Sequence, residues 1–328
     1  MLCRLRCARH LSAMCNAQPR CFLPRSRQIF CLAVGVMCAL FISAIRRYPF
    51  VIILDCDQIH RQSFVKLRRQ NASDHNVTIL CYINTHPSNY AHRAIHSRYT
   101  WARRCDKFFF TSTKDYPDLP VLKIDLEVPE IKQHLWVKMR KILREVYEFA
   151  DQYDFFLKAD DDAYVNMASL REALLEHSPD ELFMTGFRWP SVRQNGFFSG
   201  GPGYLLSRSA LKHIVEEAID KHPKCPTTDE AKEDVKMSIC GEAVGVELVD
   251  KFAETGKSIF YPYDIMDYFD TIKKATRGGI LQAYKKNDPY LRRIHLGLSR
   301  RHISFHYVDK DTQYIIEFLS FFLRPVGL

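Results

Sequence analysis

The chain has 328 residues, of which 26% are charged, and its formal net charge is +9. Residues 1–47 carry eight arginines and no acidic residue, so subtracting eight from nine leaves a charge of +1 for residues 48–328. Domains that bind nucleic acid are usually strongly basic. The near-neutral body of this chain therefore argues against nucleic acid as a partner.

Residues 29–45 form an uncharged, mostly apolar run of seventeen residues with arginines on both sides. A membrane-spanning helix needs about 17–25 such residues, so the run predicts a signal-anchor; a cleaved signal peptide and a buried helix are the alternatives. Six basic residues precede the run and two follow it. The positive-inside rule then places residues 1–28 in the cytosol, and a short span suits the Golgi or the ER–Golgi route.

Residues 46–76 are predicted to form a luminal stem, and residues 77–328 the folded body. Five of the eleven cysteines lie beyond the apolar run: Cys56, Cys81, Cys105, Cys225 and Cys240. Cysteines in an oxidising compartment tend to pair, and an odd number leaves one for pairing between chains. Cys56, in the stem, is the candidate for a disulfide-linked homodimer. Asn71 and Asn76 begin two N-glycosylation sequons.

Strands and helices alternate through the body. Short apolar runs predict strands at residues 77–83, 107–111, 121–124, 155–157, 183–186 and 302–308. Helical patterns occur at residues 91–104, 130–149, 167–175 and 209–218. This alternation predicts an α/β fold with a mostly parallel sheet and helices on both of its faces.

Three consecutive acids, Asp160, Asp161 and Asp162, follow the apolar strand at 155–157. Carboxylates that lie close together repel one another and are costly to bury unpaired. A divalent cation relieves this cost, and the carboxyl ends of strands are where open α/β sheets bind ligands. The triplet therefore indicates a metal–diphosphate site, with a solvated acidic turn as the alternative. The glycine-rich segment 196–203 indicates either a close approach of backbone to a ligand or an ordinary tight loop.

Several motifs occur together and in order along the body. They are Ile79-Leu-Cys81, Thr100-Trp-Ala-x-Arg-Cys105, Leu135 to Lys138, Phe156-Leu-Lys-Ala-Asp-Asp-Asp-x-Tyr-Val165, Ser199-Gly-Gly-Pro-Gly-Tyr-Leu-Leu-Ser207, Glu233-Asp-Val235 and Ser304-Phe-His-Tyr-Val308. In this combination the chain resembles the core 1 β1,3-galactosyltransferases of glycosyltransferase family 31, to which the fringe glycosyltransferases are related. The resemblance extends from about residue 77 to the C-terminus, and the N-terminal anchor matches as well.

The resemblance implies a GT-A fold in residues 77–328 and an inverting transferase that uses Mn²⁺ and the donor UDP-galactose. The implied acceptor is GalNAc α-linked to Ser or Thr of a glycoprotein, which receives galactose in β1,3 linkage to give the core 1 disaccharide. Two alternatives stay open. One is a β1,3-glycosyltransferase of the same family with another acceptor or with UDP-GlcNAc as donor, and the other is a non-catalytic, chaperone-like relative.

The resemblance also assigns roles to the metal and catalytic residues. Asp160 and Asp162 correspond to the carboxylates that bind the metal and the donor, and His306 to the third metal ligand through a neutral imidazole nitrogen. Asp234 corresponds to the base that takes the proton from the acceptor hydroxyl. The implied disulfides are Cys81–Cys105 and Cys225–Cys240.

Donor contacts are implied at five further positions, which are Asn84, Glu130, Lys132, Lys138 and Tyr307. Lys138 corresponds to a diphosphate contact and Tyr307 to a nucleotide contact. The side chains of Asn84, Glu130 and Lys132 differ from those of the family, so contact there is expected through the backbone or in altered form.

The sequence departs from the family in the segment before its last motif. The family carries an aromatic stretch there for the acceptor sugar, and an ungapped alignment places Gln282 at the position of the stacking tryptophan. An adjacent Cys-Cys pair of the family is also absent. Loss of an aromatic face removes apolar stacking against a sugar ring, so the sequence specifies the donor more firmly than the acceptor.

Overall fold

A computed structural model describes residues 77–190, 193–250, 257–270 and 298–322. The predicted signal-anchor at 29–45, the stem with Cys56 and both sequons, and the segment around Gln282 lie outside the described residues. Within the described ranges, no helix combines the length and the apolar character needed to cross a bilayer.

Eleven strands lie within the described ranges. They are β1 (Ile79–Asn84), β2 (Lys107–Ser112), β3 (Val121–Lys123), β4 (Phe155–Asp160), β5 (Tyr164–Val165), β6 (Phe183–Gly186), β7 (Arg188–Trp189), β8 (Phe197–Phe198), β9 (Tyr204–Ser207), β10 (Glu247–Val249) and β11 (Ser304–Phe305). Seven form the central sheet in the order β10-β6-β9-β4-β1-β2-β3. All neighbouring pairs are parallel except those of β9, which is antiparallel to β4 and β6.

The α-helices of the described ranges surround this sheet. They are α1 (Ile95–Tyr99), α2 (Leu135–Tyr147), α3 (Met167–Leu174), α4 (Arg208–His213), α5 (Glu233–Ala243), α6 (Ile265–Asp270) and α7 (Lys310–Phe321). One core lies on the sheet face covered by α3 and α7, and a second core lies on the face covered by α2, α4 and α5. The predicted α/β fold, with a mostly parallel sheet and helices on both faces, is confirmed.

The alternation of side chains along β1 explains the two cores. Cys81 and Ile83 belong to the core under α3, whereas Leu80 and Tyr82 belong to the core under α2. Successive residues of a strand point to opposite faces, and both faces are covered here. A strand in this position is therefore apolar along its whole length, which is why continuous apolar runs predicted the central strands.

Two predicted elements are shorter in the structure. The helix predicted at 91–104 has its α-helical part only at α1, because Thr100 leaves the helical conformation (φ −101°, ψ −104°). The Thr100 hydroxyl lies 3.0 Å from the Gln313 side chain of α7, a long-range contact that local patterns do not contain. The strand predicted at 302–308 pairs only over β11, because Tyr307 adopts a left-handed conformation with φ 59°.

Both implied disulfides are present. Cys81–Cys105 joins β1 to the chain just before β2. Cys225–Cys240 joins the loop before α5 to the middle of that helix. A disulfide stabilises mainly by restricting the unfolded chain, and the second one holds the start of α5, where Asp234 lies, within a short closed loop.

Candidate functional site

The carboxyl ends of two adjacent central strands meet at the predicted site. Asn84 ends β1 and Asp160 ends β4, and these two residues are register partners in the parallel pair. The residues before them in both strands are buried. The chain therefore turns from buried core to polar groups at one edge of the sheet, the edge where open α/β sheets bind ligands.

Asp160, Asp162 and His306 come together at this edge, with ligand atoms that all lie within 4.8 Å of one another. The Nε2 atom of His306 is 3.9 Å from Oδ2 of Asp160 and 3.3 Å from Oδ1 of Asp162. Adjacent ligands of a small octahedral cation, bound at about 2.1 Å, are separated by about 3 Å. The three side chains therefore fit a divalent cation after a small contraction, and imidazole and carboxylate are suitable ligands for Mn²⁺.

A short antiparallel pairing carries His306 to the acids from far along the chain. In the pair formed by β11 and β5, Phe305 is the partner of Tyr164. The backbone N–H of Val308 then donates to the carbonyl oxygen of Asp162 at 2.8 Å. These contacts bracket His306 on both sides, so the strand pair fixes the position of its ring against the acidic turn.

Gly201 leaves the room that the imidazole ring occupies. A Cβ atom built on Gly201 would lie 1.9 Å from Cε1 of His306 and 2.3 Å from both ring nitrogens. The backbone carbonyl of the same residue accepts a hydrogen bond from the Asp160 N–H at 3.4 Å. Within the described residues, the glycine-rich segment thus approaches a side chain of the protein itself.

Asp161, the middle acid, is buried and is directed away from this cluster. Its Oδ2 accepts hydrogen bonds from the Thr85 hydroxyl at 2.7 Å and from the Asn89 amide at 2.9 Å. Its backbone carbonyl accepts from the Ser97 hydroxyl at 2.8 Å. Burial raises the pKa of Asp161 to about 6. The middle acid thus holds the turn in place while its two neighbours face His306.

Arg93 partly neutralises the acidic turn. Its Nη1 atom lies 3.0 Å from Oδ2 of Asp162 and 3.6 Å from Oδ1 of Asp161. Burial by itself raises the pKa of Asp162, but the hydrogen bond and charge of His306 and the charge of Arg93 lower it overall. Asp162 is therefore a carboxylate at neutral pH, the form that binds a metal. Arg93 was not among the residues predicted from the sequence.

Lys158 is a buried cation on the inner side of the site. Its Nζ lies 2.7 Å from Oδ1 of Asp160, 3.0 Å from Oε1 of Glu233 and 2.9 Å from the carbonyl oxygen of Gly200. Burial lowers the pKa of Lys158, but the charges of Asp160 and Glu233 outweigh this effect and raise it. The sequence did not assign Lys158 a role, although a lysine inside an otherwise apolar strand was a signal for a buried ion pair.

Asp234, the predicted base, lies in the first turn of α5. Its Oδ2 accepts from the Gly200 N–H at 3.2 Å, and its Oδ1 accepts from the N–H of Val235 at 2.8 Å. Burial raises its pKa. Gly200 thus connects Asp234, through its N–H, with Lys158, through its carbonyl group. This arrangement joins the predicted base to the strand that carries the acidic turn.

Three of the predicted donor residues form one cluster beside the ends of β1 and β2. The Nζ atom of Lys138 donates to Oδ1 of Asn84 at 2.8 Å and lies 2.7 Å from Oε1 of Glu130. Oε2 of Glu130 accepts from the hydroxyls of Ser112 and Thr113. Burial lowers the pKa of Lys138, and the charge of Glu130 opposes this effect. Lys138 is therefore held by protein groups at the edge of the sheet, next to the acidic turn.

The other two predicted donor residues are more exposed. Lys132 lies on the surface in the 3₁₀ turn Lys132–His134 that precedes α2. Tyr307 is 60% exposed, and its ring stacks on His306 with 3.8 Å between the ring centroids. The structure thus places Tyr307 directly at the cluster of Asp160, Asp162 and His306. Lys132, by contrast, is an exposed residue six positions before Lys138 in the sequence.

Comparison with known proteins identifies the family. A family model described as galactosyltransferase matches residues 99–195. Over 255 residues the chain is 30% identical to glycoprotein-N-acetylgalactosamine 3-beta-galactosyltransferase 1 of Xenopus laevis, an alignment that covers 76% of this chain and 68% of the relative. The chain belongs to the galactosyltransferase family. It is an enzyme, a galactosyltransferase of the family 31 type, which goes against the chaperone-like alternative.

Other proteins match the chain at lower identity. Chondroitin sulfate synthase 3 of Homo sapiens is 25% identical over 214 residues, which are 58% of this chain and 22% of that protein. Among solved structures, the galactosyltransferase LgtC with donor and acceptor sugar analogues matches 70% of this chain and 87% of that one, at 13% identity and a TM-score of 0.41. A glycosyltransferase that acts in the glycosylation of the PBCV-1 major capsid matches 74% and 99%, at 13% identity and a TM-score of 0.37.

Proposed function

We propose that this galactosyltransferase uses Mn²⁺ and UDP-galactose to add galactose in β1,3 linkage to GalNAc α-linked to Ser or Thr of glycoproteins. The observation that carries the proposal is the cluster of Asp160, Asp162 and His306 at the end of the central strand. The name of the Xenopus laevis relative, a glycoprotein-N-acetylgalactosamine 3-beta-galactosyltransferase, supports the choice of donor and acceptor.

The residues around the cluster suit this reaction. Asp160, Asp162 and His306 would hold the Mn²⁺, which when bound neutralises negative charge that develops on the leaving diphosphate. Lys138 would add positive charge beside the diphosphate, and Tyr307 would contact the nucleotide. Asn84, Glu130 and Lys132 complete the proposed donor surface.

Asp234 is proposed as the base of the inverting reaction. A general base must reach the proton that it removes and must be ionised at the working pH. The carboxylate of Asp234 accepts two backbone hydrogen bonds, from Gly200 and Val235, which favour its charged form. In the proposed mechanism Asp234 takes the proton of the GalNAc O3 hydroxyl while that oxygen attacks the anomeric carbon of galactose, whose bond to the diphosphate breaks so that UDP leaves from the opposite face.

A transfer assay with the full chain, purified in detergent, tests the proposal. The assay contains UDP-galactose, Mn²⁺ and a GalNAc-α-threonine peptide. It compares Asp162→Asn with Asp118→Asn, which removes the charge of an exposed acid that is not one of the proposed site residues. We expect transfer by the parent chain and by Asp118→Asn and a loss of at least 100-fold in Asp162→Asn. Equal rates in both variants would contradict the metal site. If UDP binds in the presence of Mn²⁺ but no transfer occurs, the proposed acceptor is wrong and the proposed nucleotide site stands.

A β1,3-glycosyltransferase with another acceptor or with UDP-GlcNAc is the second candidate. It is favoured by Gln282 at the position of the family's stacking tryptophan and by the similarity to chondroitin sulfate synthase 3. Competition between UDP-galactose and UDP-GlcNAc, at a fixed concentration of each candidate acceptor, separates the two candidates. Preferential transfer of GlcNAc would replace the first proposal.

We further propose a type II topology in which residues 29–45 anchor the chain and place the body in the Golgi lumen. The disulfides Cys81–Cys105 and Cys225–Cys240 support an oxidising compartment for the body. Treatment of the cellular protein with an N-glycosidase should lower its apparent mass through Asn71 and Asn76. A non-reducing gel should show a dimer that Cys56→Ser removes.

A further inference from the structure

Lys158 occupies an unusual position for a lysine. It lies in the middle of the central strand β4, and its side chain is 1% exposed. Burying an ammonium group is costly unless it is paired and hydrogen-bonded. The three donors of the Lys158 ammonium group have three acceptors, on Asp160, Glu233 and Gly200, at 2.7 to 3.0 Å. The group is thus fully satisfied and held in one position.

The contact with Asp160 decides which carboxylate oxygen faces His306. Lys158 holds Oδ1 of Asp160, and the amide of Asn84 approaches the same oxygen at 3.4 Å. The other oxygen, Oδ2, is the one that lies 3.9 Å from Nε2 of His306. Because one oxygen is anchored from within the core, rotation of the carboxyl group is restricted and Oδ2 stays directed to the cluster.

The contacts with Glu233 and Gly200 connect Lys158 to the start of α5. Glu233 is 3% exposed, and its second oxygen accepts from the Tyr204 hydroxyl at 3.1 Å. Gly200 cannot carry a side chain here, because a Cβ atom would lie 2.3 Å from Oε1 of Glu233 and 2.9 Å from Nζ of Lys158. The N–H of Gly200 donates to Asp234, the next residue along α5. One ammonium group therefore contacts, directly or through Gly200, both proposed parts of the active site.

We propose that Lys158 is a positioning residue that orients the Asp160 carboxylate for the metal and, through Gly200 and Glu233, holds Asp234 at the start of α5. This inference rests on the proposed function, because it takes Asp160 as a metal ligand and Asp234 as the base. Outer groups that orient metal ligands typically contribute about 10- to 100-fold to metal affinity or activity.

The sign of the effect on metal affinity separates positioning from simple electrostatics. A buried positive charge next to a metal ligand repels a divalent cation, so charge alone predicts that removing Lys158 strengthens Mn²⁺ binding. Positioning predicts the opposite, because Asp160 loses its anchor and Glu233 loses its counter-ion. A structural role alone predicts lower stability with unchanged affinity for the metal.

The test uses Lys158→Met, which keeps the length of the side chain and removes its charge. Its matched control is Lys236→Met, since Lys236 is also buried and bonds the Thr228 carbonyl at 2.9 Å but does not contact Asp160. Mn²⁺ affinity of the full chain is measured without UDP, from the electron paramagnetic resonance signal of free Mn²⁺. Thermal unfolding and the kcat and KM for UDP-galactose are measured in parallel.

We expect Lys158→Met to weaken Mn²⁺ binding by about 10- to 100-fold and to lower kcat, and Lys236→Met to leave both unchanged. Equal or tighter Mn²⁺ binding in a folded Lys158→Met protein would overturn the inference. If the parent chain itself does not bind Mn²⁺, the proposed function fails, which is a different outcome. Should Lys158→Met not fold, Glu233→Gln replaces it. This variant loosens one of the three anchors and should weaken Mn²⁺ binding by a smaller factor, and unchanged binding there would likewise overturn the inference.

Discussion

Gly201→Ala is expected to weaken the proposed metal site without unfolding the protein. A Cβ atom at this position would lie 1.9 Å from Cε1 of His306. Carbon atoms in contact are separated by about 3.5 Å or more, so the ring must move by about 1.6 Å. Gly201 is not among the described glycines with positive φ, so its backbone conformation is open to alanine. The glycine is therefore required for space rather than for conformation.

The displacement sets the size of the effect. Metal–ligand distances vary by only about 0.2 Å in genuine sites, so a ring that moves by about 1.6 Å no longer binds the same cation as Asp160 and Asp162. Loss of one of three protein ligands should weaken Mn²⁺ binding by at least about 10- to 100-fold, the range seen when only outer groups are lost. A factor of 10 to 100 corresponds to about 1.4 to 2.8 kcal/mol.

A Mn²⁺ titration combined with thermal unfolding measures this effect. Gly241→Ala is the matched control, because a Cβ atom at Gly241 would meet its nearest neighbour, Val246, at an ordinary 3.4 Å. The double variant with His306→Ala tests the route of the effect, since two substitutions that act through one ring should not be additive. Parent-like Mn²⁺ affinity in Gly201→Ala, or full additivity in the double variant, would refute the reasoning.

Three further predictions concern stability. Replacing both Cys225 and Cys240 by alanine opens a 15-residue loop and should lower the free energy of unfolding by about 3 kcal/mol, measured by urea denaturation of parent and variant. Glu317→Gln weakens the contact between the buried Glu317 carboxylate and Arg104. We expect the free energy of unfolding to fall by about 2 kcal/mol and the Mn²⁺ affinity to stay unchanged; a change in affinity would contradict a purely structural role. Burial raises the pKa of Tyr261 to about 12 from 10.0, so ionisation favours the unfolded chain and stability should fall between pH 10 and 12, less steeply in Tyr261→Phe.

The sequence predicted the central strands well because their physical signal is local. Strands of a sheet that is covered on both faces are apolar along their length, and β1, β2 and β4 all begin within two residues of the predicted starts. The missed boundaries depend on contacts between distant residues. Thr100 ends a helix where its hydroxyl meets Gln313, more than 200 positions away, and no pattern within 91–104 contains that contact.

The sequence predicted the residues of the site that belong to motifs, but not the residues that hold them in place. Asp160, Asp162 and His306 were assigned together from motifs, and the structure brings them within 4.8 Å of one another. The groups that hold them in place, Lys158 and Gly201, were not assigned. A lysine is ordinarily a surface residue, and a glycine in a loop has many uses, so neither residue type indicates its partner. Their roles depend on the contacts of the 199–203 segment with β4 and with His306, which only the fold supplies.

The three consecutive acids have two different roles, since one of them holds the turn and the other two face His306. The chain turns directly after β4, and in this turn Asp160 and Asp162 face His306 while Asp161 faces Thr85 and Asn89. The middle acid fixes the turn through buried hydrogen bonds, and the oxygens of the outer two remain available for the proposed cation. An Asp-x-Asp pattern by itself is common. It is a candidate metal site here because the fold adds His306, which directly follows β11, and the space for its ring.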